Sequence, residues 1–380
     1  MGLNAVCVHG HFYQPPRDDP LSGLIPDEIG SEPYRNWNER IHAECYKPNA
    51  ELENFKKVSF NVGPTLFKWM ASYDPATYNA IINQERSTFE KNGVGNGMAQ
   101  PYHHVILPLA NKRDKVTQIK WGIADFEHRF GHSPAGMWLP ETAVDIETLA
   151  YLADNKIQFT ILAPWQVKIP DNEPSDQPFL IELPGKRKPM IVFLYQQSLS
   201  TMVSFVSDTT RNAEYFVNNK ILPILGSVDD AQKRMLLIAS DGEVYGHHKL
   251  FRDKFLSYML NGALNQQEIE ITYPGLWLSQ HQPEKYAELC EYSSWSCHHG
   301  IIRWMGECNC TPGAKWKAPL RWALDKLAEE LDHQYQVYLG RYTRRIWHLR
   351  NAYIHVFLGE TNIETLLSQF ISQPLEEDEV

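Results

Sequence analysis

Two carboxylates, Glu141 and Asp241, occupy positions suited to paired acid/base chemistry. Gly136-Met137-Trp138-Leu139-Pro140 is an apolar run that stops at a proline and delivers Glu141, with a helix expected from about Asp145. The apolar run Met235 to Ala239 passes through Ser240 to Asp241 in the same way. A strand ending in a charged residue just before a crossover helix puts that residue on the carboxyl edge of a sheet, where α/β proteins build active sites. Two carboxylates across a pocket suit glycosidic bond cleavage. One attacks or stabilises the oxocarbenium-like carbon, and the other, held protonated, donates to the leaving oxygen. A separation of ~5–5.5 Å goes with retention of configuration and ~6.5–9.5 Å with inversion. Each residue also has a plainer use: Glu141 as a charge at a helix N-terminus, Asp241-Gly242 as a turn pair.

Histidines supply a rival chemistry. His9-Gly10-His11 follows the strand-like Ala5 to Val8, and His103, His104, His247 and His248 come later. With Asp241, the pair His9 and His11 has the donor types of a metal-dependent hydrolase or deacetylase. The plainer use is to hydrogen-bond substrate hydroxyls. Cys297-His298-His299 and Cys308-Asn309-Cys310 carry zinc-ligand types. The one-residue gap is tight for a shared tetrahedral ion, and no second well-spaced pair exists, so no metal and no cofactor are expected. Gly93-Val94-Gly95-Asn96-Gly97 lacks the Lys-Ser/Thr of a phosphate loop.

The elements that must position these groups are short strands alternating with helices. Strand ends fall near His9, Asn61, Asn96, Leu139, Leu162, Tyr195 and Ser240. Helices are expected from Pro75 to Glu90, Lys112 to Phe130 and Ala213 to Leu225. Such units with short connections predict an α/β fold with a parallel sheet and right-handed crossovers. Seven strands suffice for a (β/α)7 barrel, a distorted TIM-like form, over residues 1–305. At one strand end after another a polar or aromatic residue appears, which converges them on one mouth. Residues 167–189 are rich in Pro, Asp and Gly, with one hairpin strand from Phe179 to Leu183, and are a candidate flap over that mouth. Residues 306–380 form a C-terminal helical region: Trp316, Leu320, Leu324, Leu327 and Leu331 fall at helical spacing, and a helix is expected to continue from Arg341 to Leu358. Glu376 to Val380 is an acidic, solvated tail.

Composition narrows the classes. At 380 residues the chain can bury one barrel-sized core with an appendage. A net charge of −10 opposes a nucleic-acid binder driven by phosphate neutralisation. No apolar run is long enough to span a bilayer, and Met1 to Val8 lacks the pattern of a signal peptide. The six cysteines, Cys7, Cys45, Cys290, Cys297, Cys308 and Cys310, are sparse and fit reduced thiols, so a cytoplasmic protein is expected. Eleven tryptophans and eighteen tyrosines are an excess that offers flat faces for sugar rings.

These motifs resemble glycoside hydrolase family 57, the α-glucan-active group of amylases, 4-α-glucanotransferases, branching enzymes and amylopullulanases. His9-Gly10-His11-Phe12-Tyr13-Gln14-Pro15 is similar to the family's first conserved region, usually His-x-His-Gln-Pro, with Phe12 and Tyr13 inserted. Asn96 to Leu107 is similar to the second, with His103 or His104 facing substrate. Trp138-Leu139-Pro140-Glu141 resembles the third, and Asp241-Gly242-Glu243-Val244-Tyr245-Gly246 the fourth. Ser294 to Gly300 with Arg303-Trp304 is the candidate for the fifth. The resemblance covers roughly residues 5 to 305. It implies a (β/α)7 barrel followed by a helical domain, with Glu141 as nucleophile and Asp241 as general acid/base. It further implies cleavage or transfer of α-glucosidic bonds through a glycosyl-enzyme intermediate, without a metal. His9, His11, Gln100 and His104 would hydrogen-bond an α-glucan or malto-oligosaccharide. Trp138, Trp165, Trp295 and Trp304 would stack on its sugars. A non-catalytic glucan-binding protein on a degenerate barrel is the remaining alternative. Relatives of this subgroup run longer, so the chain is expected to be a short version or a fragment.

Overall fold

The computed structural model describes residues 4–171, 173–226 and 234–371; the acidic tail at 376–380 lies outside them. The first strand, Asn4–Phe12, is the organising element. Its Cα register pairs it in parallel with Ser59–Val62 on one side (His11 opposite Asn61) and with Arg234–Asp241 on the other (His11 opposite Asp241). Parallel pairing buries both faces, which accounts for the near-continuous apolar text of these strands.

The wall continues through two segments too short to read as full strands. Met98 N–H donates to the Phe60 carbonyl, Trp138 N–H to that of Ala99, and Met137 N–H to that of Phe159. Phe159–Leu162 then pairs in parallel with Met190–Leu194. Gln196 N–H donates to the Leu237 carbonyl at 2.7 Å and joins the sixth wall element to the seventh. Seven parallel segments among the described residues thus close a distorted (β/α)7 barrel in sequence order. A two-residue strand, Glu270–Ile271, pairs with the start of the first strand.

Helix limits follow local chemistry. The Asn111 side chain accepts from Asp114 N–H and starts Lys112–Phe130, which Gly131 ends at φ 80°. Asp145 caps Ile146–Asp154 by accepting from Thr148 N–H, and it also holds buried Lys115 at 2.7 Å. That ion pair ties two crossover helices together behind the wall.

Three expectations change. The first strand runs to Phe12 rather than stopping near His9, which carries His11 up to the mouth. Residues 167–189 are not a flap: Phe179–Ile181 pairs antiparallel with Met190–Leu194, and the Asp176 carbonyl accepts from Met235 N–H. Met235 lies at the amino-terminal start of its strand, so the stretch 176–181 sits against the wall at the end away from the mouth. The helix expected at 341–358 breaks into Ile346–Ala352 and Ile354–Phe357. These pieces pack on Lys112–Phe130, where Trp121 Nε1 donates to the Asn351 carbonyl and Arg350 pairs with Asp114. The long helix Lys317–Leu339 has no buried residue.

Candidate active site

Glu141 sits on a strained turn. It and Thr142 have φ of 57° and 47°, the left-handed region that non-glycine residues rarely occupy. Strain of this kind persists where the surroundings over-determine it, and here they do. Gln166 Nε2 donates to the Thr142 carbonyl at 2.8 Å, while Gln166 Oε1 accepts from the Thr142 hydroxyl and from Ala163 N–H. Trp295 holds Glu141 twice, from its backbone N–H to the Glu141 carbonyl at 3.0 Å and from Nε1 to Oε2 at 3.2 Å.

Asp241 ends the last wall strand and is open to solvent on one side. The protein around its carboxyl removes part of its hydration, and the Glu141 charge is near enough to add to the effect. Together they push its pKa from 3.8 to about 6. Gly242 follows because a Cβ there would meet the Phe12 ring at 2.3 Å. Two residues on, buried Glu243 is pushed up to about 8, first by desolvation and then by Asp241. Its Oε1 accepts from the Tyr46 hydroxyl at 2.7 Å and from Tyr13 N–H at 3.2 Å.

Between the carboxylates runs a stack of rings. His9 lies 4.7 Å and His11 5.1 Å from Trp138 between ring centroids, both nearly parallel to it. His104 stacks on Tyr13 at 4.0 Å. Asn61 sets the proton positions: its Nδ2 donates to His11 Nδ1 at 2.9 Å, and its Oδ1 accepts from His9 Nε2 at 3.2 Å. His11 Nε2 then donates to His104 Nε2 at 3.1 Å. Desolvation keeps these rings neutral, with His9 lowered to about 3 and His104 to about 4.

The expected site residues divide into three groups. Glu141, Asp241, His11, His104 and Trp295 converge on the mouth. Trp165 stands at its edge, with Nε1 on the Ser294 carbonyl and its ring edge-on to Tyr195 at 6.0 Å. His9, Gln100 and Trp138 are buried behind the surface, so the expectation that they touch substrate gives way to a supporting place. Trp138 is fully buried with His rings stacked on it, and Gln100 accepts from Asn61 Nδ2 at 2.5 Å. Trp304 lies apart, in a groove with Val105, Trp316 and Leu320. His103 turns outward to Gln118.

His9, His11 and Asp241 do not form a metal-binding group. Both His9 nitrogens are spent, on Ser59 Oγ and on Asn61. Among the described residues the histidine, cysteine and carboxylate atoms that do converge are those of Cys297, His299, Cys308 and Cys310, all within 4.8 Å of one another. They come from two separate turns, so spacing within one segment does not reveal their approach. Tyr13, Asn61, Tyr46 and Glu243 were not singled out as site residues. Asn61 and Glu243 had a signal, a strand end and the Asp241-x-Glu243 spacing; Tyr46, in the helical stretch 37–51, had none.

Comparisons with known proteins agree with this fold. The chain is 30% identical to alpha-amylase 1 of Dictyoglomus thermophilum over 129 residues, 33% of this chain and 18% of that one. An exo-type maltose-forming amylase from Pyrococcus sp. ST04 has a similar fold (TM-score 0.75, 16% identity, 94% of this chain and 68% of that one). So does a 4-alpha-glucanotransferase from Thermococcus litoralis (TM-score 0.60, 17% identity, 78% and 43%). A GH57-type branching enzyme from Pyrococcus horikoshii follows (TM-score 0.64, 16% identity, 96% and 87%). The chain therefore spans less than half the length of that amylase and that glucanotransferase. Among the described residues no helix is long and apolar enough to cross a membrane. Residues 313–380 match a domain of unknown function (DUF3536). The model of glycosyl hydrolase family 57 matches residues 17–289, beginning after His9 and His11, and the chain belongs to that family.

Proposed function

We propose that this protein is a retaining enzyme acting on α-glucans, with Glu141 as nucleophile and Asp241 as general acid/base. Asp241, protonated to about pH 6, gives its proton to the glycosidic oxygen as Glu141 Oε attacks the anomeric carbon and the bond to the leaving sugar breaks. Asp241, now ionised, takes a proton from water or from a sugar hydroxyl, whose oxygen displaces Glu141 and restores both carboxyls. The observation that carries this assignment is the unequal treatment of the two groups. Glu141 is fixed by Trp295 and the Gln166 network with a hydrogen bond on its carboxylate, while Asp241 is desolvated beside it.

Neutral His104, held from behind by His11, offers its remaining ring nitrogen to a sugar hydroxyl at this mouth, and Trp165 and Trp295 offer ring surface. The domain division that goes with this reading is a barrel up to residue 305 followed by a helical region, described as far as residue 371. The test is chromatography of products from maltoheptaose and amylose with wild type and Glu141→Ala. Shorter chains with rising reducing ends mean hydrolysis, and a ladder of shorter and longer chains means transfer. Either pattern must vanish in the variant; products that persist there remove Glu141 from the mechanism.

A further inference from the structure

Cys297 and His299 lie on one turn, Cys308 and Cys310 on another, and their ligand atoms face each other. Cys297 Sγ is 3.8 Å from Cys308 Sγ and 3.6 Å from His299 Nδ1, and Cys310 Sγ is 3.4 Å from that same Nδ1. A tetrahedral zinc with Zn–S of ~2.3 Å and Zn–N of ~2.0–2.1 Å needs S···S edges of about 3.8 Å and S···N edges of about 3.5 Å. These three edges have those lengths, and all four ligand atoms lie within 4.8 Å of one another. A disulfide would need sulfurs at ~2.05 Å, and all four residues remain free of one. We infer that Cys297, His299, Cys308 and Cys310 form a structural Cys3His zinc site that pins the segment bearing Trp295 against the Glu141 turn.

The surroundings are built for this. Gly300 turns at φ +66°, where a Cβ would fall 2.0 Å from the Tyr292 carbonyl oxygen, and this turn sends the chain on toward Cys308. The second pair is formed by a tight turn in which Thr311 N–H donates to the Cys308 carbonyl at 2.8 Å. Cys297 and Cys308 are buried and Cys310 and His299 exposed, so an ion has a path in from the surface. The four protein ligands fill the tetrahedron and leave no position for a reacting water, which makes the site structural rather than catalytic. From Cys297 the link to the mouth is short. Ser294 Oγ donates to the Cys297 carbonyl, and the next residue, Trp295, grips Glu141 at two points. His298, between two ligands, lies 5.0 Å from the Trp165 ring. The zinc assignment stands independently of what the mouth catalyses.

The experiment is metal analysis of the full chain, purified without chelator from zinc-supplemented culture, beside Cys308→Ser, Cys310→Ser and the control Cys290→Ser. One zinc per chain is expected in wild type and control, with loss of that equivalent in both ligand variants. If a ligand variant does not fold, cobalt(II) is exchanged into the wild type, where tetrahedral thiolate ligation gives intense visible absorption and sulfur-to-cobalt charge transfer. Chelation should also open the 297–310 segment to protease. Wild type with no zinc and only the faint spectrum of six-coordinate cobalt, or an intact mass two hydrogens lower from a disulfide, would overturn the assignment.

Discussion

Leu236 and Ile238 in the last wall strand are fully buried, whereas Leu320, Leu324, Leu327 and Leu331 on helix Lys317–Leu339 are 48%, 50%, 54% and 59% exposed. Both stretches carry regular apolar spacing, yet only the barrel converts it into a core. The long helix is held at its rim by polar contacts such as Arg321 to the Leu109 carbonyl and Tyr335 to the Ile346 carbonyl. Periodicity dictates the element; the fold decides what the element buries. The catalytic geometry proposed here rests on the first region, so damage to the two should differ in kind.

The largest effect should come from the mouth. Glu141→Gln is expected to lower glucan turnover by about 10³-fold or more while melting like wild type, as measured by initial rates and calorimetry. Next, Lys115→Met leaves the buried Asp145 carboxylate without its cation and should cost about 3–5 kcal/mol in urea unfolding. Leu236→Ala removes a fully buried wall side chain and should cost about 2–5 kcal/mol. By contrast, Leu324→Gln should stay within about 0.5 kcal/mol of wild type. If Leu324→Gln cost as much as Leu236→Ala, the contrast between barrel and helix would be broken.

A subtler comparison uses pH. The folded protein binds more protons than the unfolded chain wherever a folded carboxyl pKa is raised, so stability falls as pH rises across that window. For Asp241 the window runs from 3.8 to about 6 and for Glu243 from 4.5 to about 8. Glu243 should therefore contribute a drop in melting temperature between pH 6 and 8, opposed by the rise that His9 and His104 contribute with pKa values lowered from 6.5. Glu243→Gln should flatten that drop, because both hydrogen bonds to Glu243 end on Oε1, which the amide retains. In Glu141→Gln, carboxyl titration followed by infrared spectroscopy should show the Asp241 pKa below about 6. It should stay above 3.8, since burial is the larger cause of the shift.

Much of this was legible in the residues. Helix Lys112–Phe130 has the bounds its apolar period implies, and the helix expected from about Asp145 starts at Ile146. The convergence of polar strand ends on one mouth came from the period of the apolar runs. What escaped depends on contacts distant in sequence. Trp138 was read as a sugar platform, but a strand residue facing inward at this level is covered by His9 and His11 from a neighbour far away in sequence. The thiols were judged by their spacing within one segment, whereas the site is made by the approach of two. The 167–189 insertion reads as a loop because much of its pairing is with Tyr286–Leu289, far along the chain.

The most direct test of the central claim is mass spectrometry of Asp241→Asn after incubation with α-maltosyl fluoride, whose leaving group needs no acid. The account predicts one glycosyl adduct per chain, carried by the peptide containing Glu141. An unmodified chain with the fluoride consumed, or an adduct on any other residue, would contradict it.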